Sequence, residues 1–144
     1  MKRIAKAVWN GSGTEGSGTL STPQSKAFVD LPYSVKLRFE NEDGTKGTNP
    51  EELIAAAHAG CYAMALSVGL EKQGYKADSI ETKATLSLDK QDNGWAITKI
   101  DLKLDAKVPD ISEEKFGEIA KASKEGCPVS KLLNAEITLD YTLN

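Results

Sequence analysis

The segment from Asn49 to Gly74 constrains this chain more than any other. Asn49 suits a helix cap, Pro50 suits the first helical position, and Glu52 stands three residues after the cap, as in a capping box. The spacing predicts a helix that runs to about Gln73, with Gly74 as its terminator. It is unusually apolar and rich in small residues, among them Ala55, Ala56, Ala57, Ala59, Gly60, Ala63 and Ala65. A helix that is apolar nearly all round is a buried helix. Small side chains also let another backbone approach closely.

Strand patterns surround it. Residues 2–9 read as a strand, 11–18 as a glycine-rich turn, and 19–22 and 25–30 as short strands separated by Pro23. In 33–39, Tyr33, Val35, Leu37 and Phe39 alternate with Ser34, Lys36 and Arg38, which predicts a further strand. Residues 40–48 form a polar loop. Strands are expected over 79–90 and 95–108, joined around Asp92-Asn93-Gly94, because Asn-Gly is a strong hairpin signal. The alternation slips between Ile97 and Ile100, which predicts a bulge. Ser112 caps an amphipathic helix over about 113–125 with Phe116, Ile119 and Ala120 inward, and Pro128 opens a short helix through Leu132 and Leu133. Residues 135–143 make a last strand, with Ile137, Leu139 and Tyr141 on one face. Runs of strands interrupted by two helices argue an α+β fold. A length of 144 residues, without repeat or linker, fits one domain over 1–144.

With 18 basic and 21 acidic residues the net charge is −3, which leaves no footprint for nucleic acid or an anionic membrane. No stretch of about 18 apolar residues stands out as a membrane span, and the N-terminus lacks the apolar core of a signal peptide. The expected compartment is therefore the reducing cytoplasm. There a cysteine pair is inert, metal-binding or redox-active rather than a structural disulfide. Two cysteines 66 positions apart and one histidine, His58, make a poor zinc site.

The two thiols read differently. Cys61 lies within the apolar helix, where burial raises a thiol pKa; it is either a small core residue or a nucleophile that needs a cation, for which arginine is the natural choice. Cys127, between Gly126 and Pro128 at a helix cap, is the more acidic thiol on local grounds, or else it fills the turn. Arg38 reads as a solvated strand residue or a ligand, and Glu51 as a first-turn carboxylate with or without a role. His58, three residues before Cys61, reads as a core or interface histidine with its nitrogens satisfied.

At 46–66 the sequence becomes specific. Lys46-Gly-Thr-Asn-Pro-Glu-Glu-Leu-Ile-Ala-Ala-Ala-His-Ala-Gly-Cys-Tyr-Ala-Met-Ala-Leu66 resembles the helix signature of the OsmC/Ohr family. So do Gly126-Cys-Pro-Val-Ser-Lys131, Ala135-Glu-Ile-Thr-Leu-Asp-Tyr141, the neighbourhood of Ser21, Arg38-Phe39-Glu40 and Ala96-Ile-Thr-Lys-Ile100. His58 is closer to the osmotically inducible branch. The departures are Gly60, Tyr62 and a longer loop over 41–46. The resemblance implies an OsmC-like fold with antiparallel sheets, a long buried central helix and an intertwined homodimer. It implies a cysteine-based peroxidase for organic hydroperoxides in oxidative and osmotic stress defence, reduced by an external dithiol, with no metal, flavin or haem. By the same resemblance Cys61 matches the peroxidatic cysteine and Cys127 the resolving cysteine that closes a disulfide with it, while Arg38 and Glu51 match the pair that activates the first thiol. A non-catalytic module that binds a lipid-like ligand is the alternative, with both cysteines structural.

Glu51 and Cys61 are ten residues apart on one helix, about 15 Å along its axis. A glutamate and a thiol so separated do not share one arginine within a single chain. Two such helices packed antiparallel about a two-fold axis bring Glu51 of one to Cys61 of the other, which predicts composite sites.

Overall fold

The computed structural model describes residues 1–41 and 44–144, in two compact units, Met1–Leu53 and Ile54–Asn144. Glu42 and Asp43 of the expected polar loop lie outside the described residues.

The first unit holds an antiparallel sheet in the order β1-β2-β3, formed by β1 (Lys6–Asn10), β2 (Ser17–Ser21) and β3 (Leu31–Tyr33). Trp9 pairs with Gly18, and Gly18 with Tyr33. The Trp9 and Tyr33 rings lie 5.4 Å apart. A side chain at Gly18 would run into the Tyr33 ring and the Val8 carbonyl, so only glycine fits there. Residues 25–30 are not the expected strand. Thr22 closes a loop instead: its N–H donates to the Phe28 carbonyl at 3.0 Å and its hydroxyl oxygen accepts from the Phe28 N–H at 3.2 Å. Local side-chain bonds of this kind compete with a ladder.

The larger departure is at 33–39. The strand ends at Tyr33, and Val35–Phe39 form a short helix, α1. Ser34 caps it, its hydroxyl accepting from the Leu37 N–H at 3.0 Å. Pro32 gives β3 no donor at that position. A capping serine directly after it decides the matter against an alternation only a few residues long.

The long helix α2 spans Pro50–Lys72, so it starts in the first unit and continues into the second. Its start falls where expected, but only half of the capping box forms: Asn49 Oδ1 accepts from the Glu52 N–H at 2.8 Å, while the Glu52 carboxylate accepts from the Thr48 hydroxyl at 2.7 Å instead of bonding back to the cap. The expectation of all-round burial is met on one stripe. His58, Tyr62, Leu66 and Leu70, four residues apart, are buried. Met64 and Val68 remain 66% and 48% exposed. The core of the second unit offers packing surface to one side of the helix. Contrary to the sequence expectation, α2 is by length and composition long and apolar enough to cross a membrane, because its alanines and leucines raise the mean hydropathy. Its buried stripe belongs to the second unit's core.

In that unit β4 (Ser79–Gln91) and β5 (Gly94–Lys107) form the expected hairpin, with Gly94 at a φ of 123°. The register slips between Ser87 and Leu88, which pair with Lys99 and Ile97, so the bulge falls on Thr98. α3 (Glu113–Gly126) is capped by Ser112, and α4 (Pro128–Leu132) follows directly. The last strand, β6 (Glu136–Leu143), pairs with β5 in parallel. This corrects the all-antiparallel expectation: α3 and α4 form a crossover long enough to return the chain in the same direction. Ile100, Leu102, Leu104 and Ala106 of β5 face Phe116, Ile119 and Ala120 of α3 and the α2 stripe in one core. Each large side chain there contributes about 1.5–3 kcal/mol. α2 and α3 approach closely at Gly69, where an added methyl would lie 2.9 Å from Ser123 Oγ.

Candidate active site

The first unit supplies a charge pair. Arg38, in the last turn of α1, meets Glu51, in the first turn of α2. Arg38 Nε donates to Glu51 Oε2 at 3.1 Å, and its terminal nitrogen to Oε1 at 2.5 Å. This is a two-pronged fork, the geometry in which guanidinium holds carboxylate best. The Ser34 cap fixes the start of the short helix that carries Arg38, and the Asn49 cap fixes the end of α2 that carries Glu51. Arg38 therefore sits on a helix rather than the predicted strand, but it does reach Glu51.

The second unit supplies the thiols. Cys61 in α2 and Cys127 at the α3–α4 junction are both free. Cys61 packs against the core cluster that includes Cys127, and each thiol acts on the other, Cys127 raising the Cys61 pKa and Cys61 lowering that of Cys127. Burial pushes the Cys61 thiol up, the Val129 N–H opposes this, and Cys127 adds to it. Burial also works against the Cys127 thiolate, but the Ser130 N–H, the Cys61 thiol, the Ser130 hydroxyl and the Val129 N–H together hold Cys127 below its ordinary value. The greater acidity expected of Cys127 thus matches its surroundings. Pro128 supplies no N–H, so the donors near this sulfur come from the next two residues. Tyr62 is buried beside them; burial first, and then the charge of Cys127, pushes its phenol up, and it donates to the Ala120 carbonyl at 3.3 Å.

His58 is fully buried one turn before Cys61. Its Nε2 lies 2.8 Å from Ser130 Oγ. Its Nδ1 has no hydrogen-bond partner among the described residues, which corrects the expectation that both nitrogens are satisfied. Sequence reasoning missed Ser130. The signal was a hydroxyl three residues after a capping cysteine, the position that faces a cap.

Beside Cys61 opens a cavity of about 530 Å³, lined by Met64, Val68, Ile119, Ala122 and Pro128 among others. An apolar hollow next to a thiol suits an apolar molecule that carries a reactive polar end.

Comparisons with known proteins agree with one another. The family described as OsmC-like protein matches residues 41–142. The chain is 52% identical to peroxiredoxin OsmC of Escherichia coli over 143 residues, which is 99% of this chain and 97% of that one. It is 32% identical to the organic hydroperoxide resistance protein OhrB of Bacillus subtilis, over 78% of this chain and 82% of that protein. The crystal structure of that OhrB matches with a TM-score of 0.69 at 28% identity, covering 96% and 98% of the two chains. The chain belongs to the OsmC-like protein family, with its α+β fold.

Proposed function

We propose that this protein is a thiol peroxidase that reduces organic hydroperoxides in defence against hydroperoxide stress, as the names of its relatives indicate of them. The observation that carries the reading is the contact between two free thiols 66 positions apart, with an apolar cavity at Cys61. The Cys61 thiolate attacks the distal peroxide oxygen. The O–O bond breaks, the alkoxide leaves and takes a proton as alcohol, and Cys61 becomes a sulfenic acid. The Cys127 thiolate then attacks the Cys61 sulfur; the S–S bond forms, the S–O bond breaks, and hydroxide leaves as water. An external dithiol returns two electrons and two protons by exchange.

Arg38, held by Glu51, stabilises the Cys61 thiolate in this scheme. The helical distance of about 15 Å between Glu51 and Cys61 favours a homodimer in which the charge pair of one subunit serves the thiols of the other. Met64 and Val68, exposed on α2, supply apolar surface for a second copy. Both units belong to a single OsmC-like domain on this reading, since relatives match along nearly the whole chain. A cytoplasmic site of action suits the free thiols.

The test is to mix reduced protein with one equivalent of an organic hydroperoxide and count free thiols, with intact mass alongside. Loss of both thiols and of about 2 Da is the expected result. Thiols that persist, with saturable binding and no turnover, would make the protein a binding module instead.

A further inference from the structure

His58 and Ser130 join the two helices that carry the cysteines: His58 lies on α2 three residues before Cys61, and Ser130 on α4 three residues after Cys127. Nε2 and Oγ are 2.8 Å apart. Ser130 stands in the first turn after Cys127, and its N–H and hydroxyl both favour the Cys127 thiolate. A hydroxyl has one proton to donate, so Ser130 can give it to His58 or to Cys127 but not to both. The histidine tautomer decides which. With the proton on Nδ1, Nε2 would draw the Ser130 hydroxyl toward itself, and Nδ1–H would be buried with no acceptor among the described residues. With the proton on Nε2, the imidazole donates to Ser130 and the serine proton is free for the sulfur. The bare Nδ1 lone pair is then the unpartnered group, and an orphaned acceptor is tolerated more often than an orphaned N–H.

We infer that His58 holds Ser130 as a hydrogen-bond donor to Cys127, and that the pair prepares Cys127 to attack the Cys61 sulfenic acid. The inference rests on the peroxidase reading. Ser130 touches a reacting sulfur; His58 acts through Ser130 and is a positioning residue. Burial holds the imidazole below its ordinary pKa and therefore neutral, so it works as a fixed donor rather than as a base. The proton lost by the Cys127 thiol meets the hydroxide that leaves Cys61, and the products are one disulfide and one water.

The test is a single turnover with cumene hydroperoxide, quenched at intervals with an alkylating reagent and resolved by mass, for the unaltered protein, Ser130→Ala, Ser130→Thr, His58→Gln and His58→Leu. Oxidation of Cys61 is expected to keep its rate, while disulfide closure slows about tenfold in Ser130→Ala and sulfinic acid accumulates with excess peroxide. Ser130→Thr is expected to restore closure. His58→Gln, whose amide can donate in place of Nε2–H, is expected to close faster than His58→Leu. Closure at the unaltered rate in Ser130→Ala overturns the inference, and so does equal slowing of both steps, which marks a merely structural role. Should His58→Leu not fold, the Ser130→Ala and Ser130→Thr pair decides alone. A wild-type protein that consumes no peroxide overturns the peroxidase reading itself, which is a different result from normal consumption with normal closure in the variants.

Discussion

Cys61 and Cys127 lie in one core cluster and act on each other's charge, yet their surroundings differ in kind. Cys61 sits inside a 23-residue helix, where the backbone N–H groups are already bonded along the helix and cannot turn to a sulfur. Its one backbone donor, Val129, comes from elsewhere in the second unit. Cys127 sits where α3 has ended and α4 is starting, and first-turn N–H groups there have no partner of their own in the helix. The chain thus provides for the Cys127 thiolate locally and leaves Cys61 needing outside help. Acidity and order of attack are separable properties. On the proposed scheme the thiol beside the cavity meets the peroxide first, and the more acidic thiol serves the second step, where no small molecule need enter.

Replacing one cysteine at a time tests that division most severely. Cys61→Ser is expected to abolish turnover, a loss of about 10³-fold or more, read as hydroperoxide consumption with excess dithiol. Full activity in this variant would sink the assignment. Cys127→Ser is expected to keep one round of oxidation and lose efficient recycling. Mass should show about 16 Da added to Cys61 as the sulfenic acid, where the unaltered protein shows a disulfide.

How far these features were legible in the sequence follows from how local each one is. Asn49, Pro50 and Glu52 mark the α2 start by short-range bonds, and the structure makes the Asn49 bond. The hairpin at Gly94 and the bulge at Thr98 are equally local. Arg38 reads as a strand residue because the alternation over 33–39 is that of a strand, although its last five residues form a short helix; the Ser34 hydroxyl is the discriminating group. The parallel pairing of β6 depends on where a crossover returns, which no local pattern encodes. Cys61 and Cys127 were paired through family resemblance, since nothing in their spacing requires it. Ser130 escaped notice because its meaning depends on His58, 72 positions away.

The charge pair sharpens the contrast further, because it is expected to give Cys61 the cation that its own helix lacks. Arg38→Met should lower the oxidation rate of Cys61 about 10²-fold and move its pH profile upward, while closure by Cys127 is unchanged. Glu51→Gln should have a smaller effect in the same direction. If the sites are composite, mixing Arg38→Met with Cys61→Ser protein under conditions that exchange subunits should restore about a quarter of the wild-type activity. Half of the dimers are then mixed, and each carries one intact site. No restoration after verified exchange would mean that each chain's charge pair serves its own thiol.

The smallest expected effect concerns the element that joins the two thiol environments. His58 is the only histidine in the chain and is held neutral by burial. Its native pKa is depressed, so the unfolded chain binds the proton first as pH falls. Stability from this group is complete above the unfolded value, about 6.5, and declines as pH drops below it toward the native value. The slope for one proton is at most about 1.4 kcal/mol per pH unit. Urea unfolding of the reduced protein between pH 7 and 5.5 should show this decline, and His58→Gln should remove most of it, since carboxylates titrate lower. An unchanged slope in His58→Gln would mean that the imidazole takes up its proton in the native state. A charged His58 would still donate to Ser130 but would add a positive charge behind Cys127, which favours its thiolate, and the resolving step would then slow less in acid than loss of the thiolate alone requires.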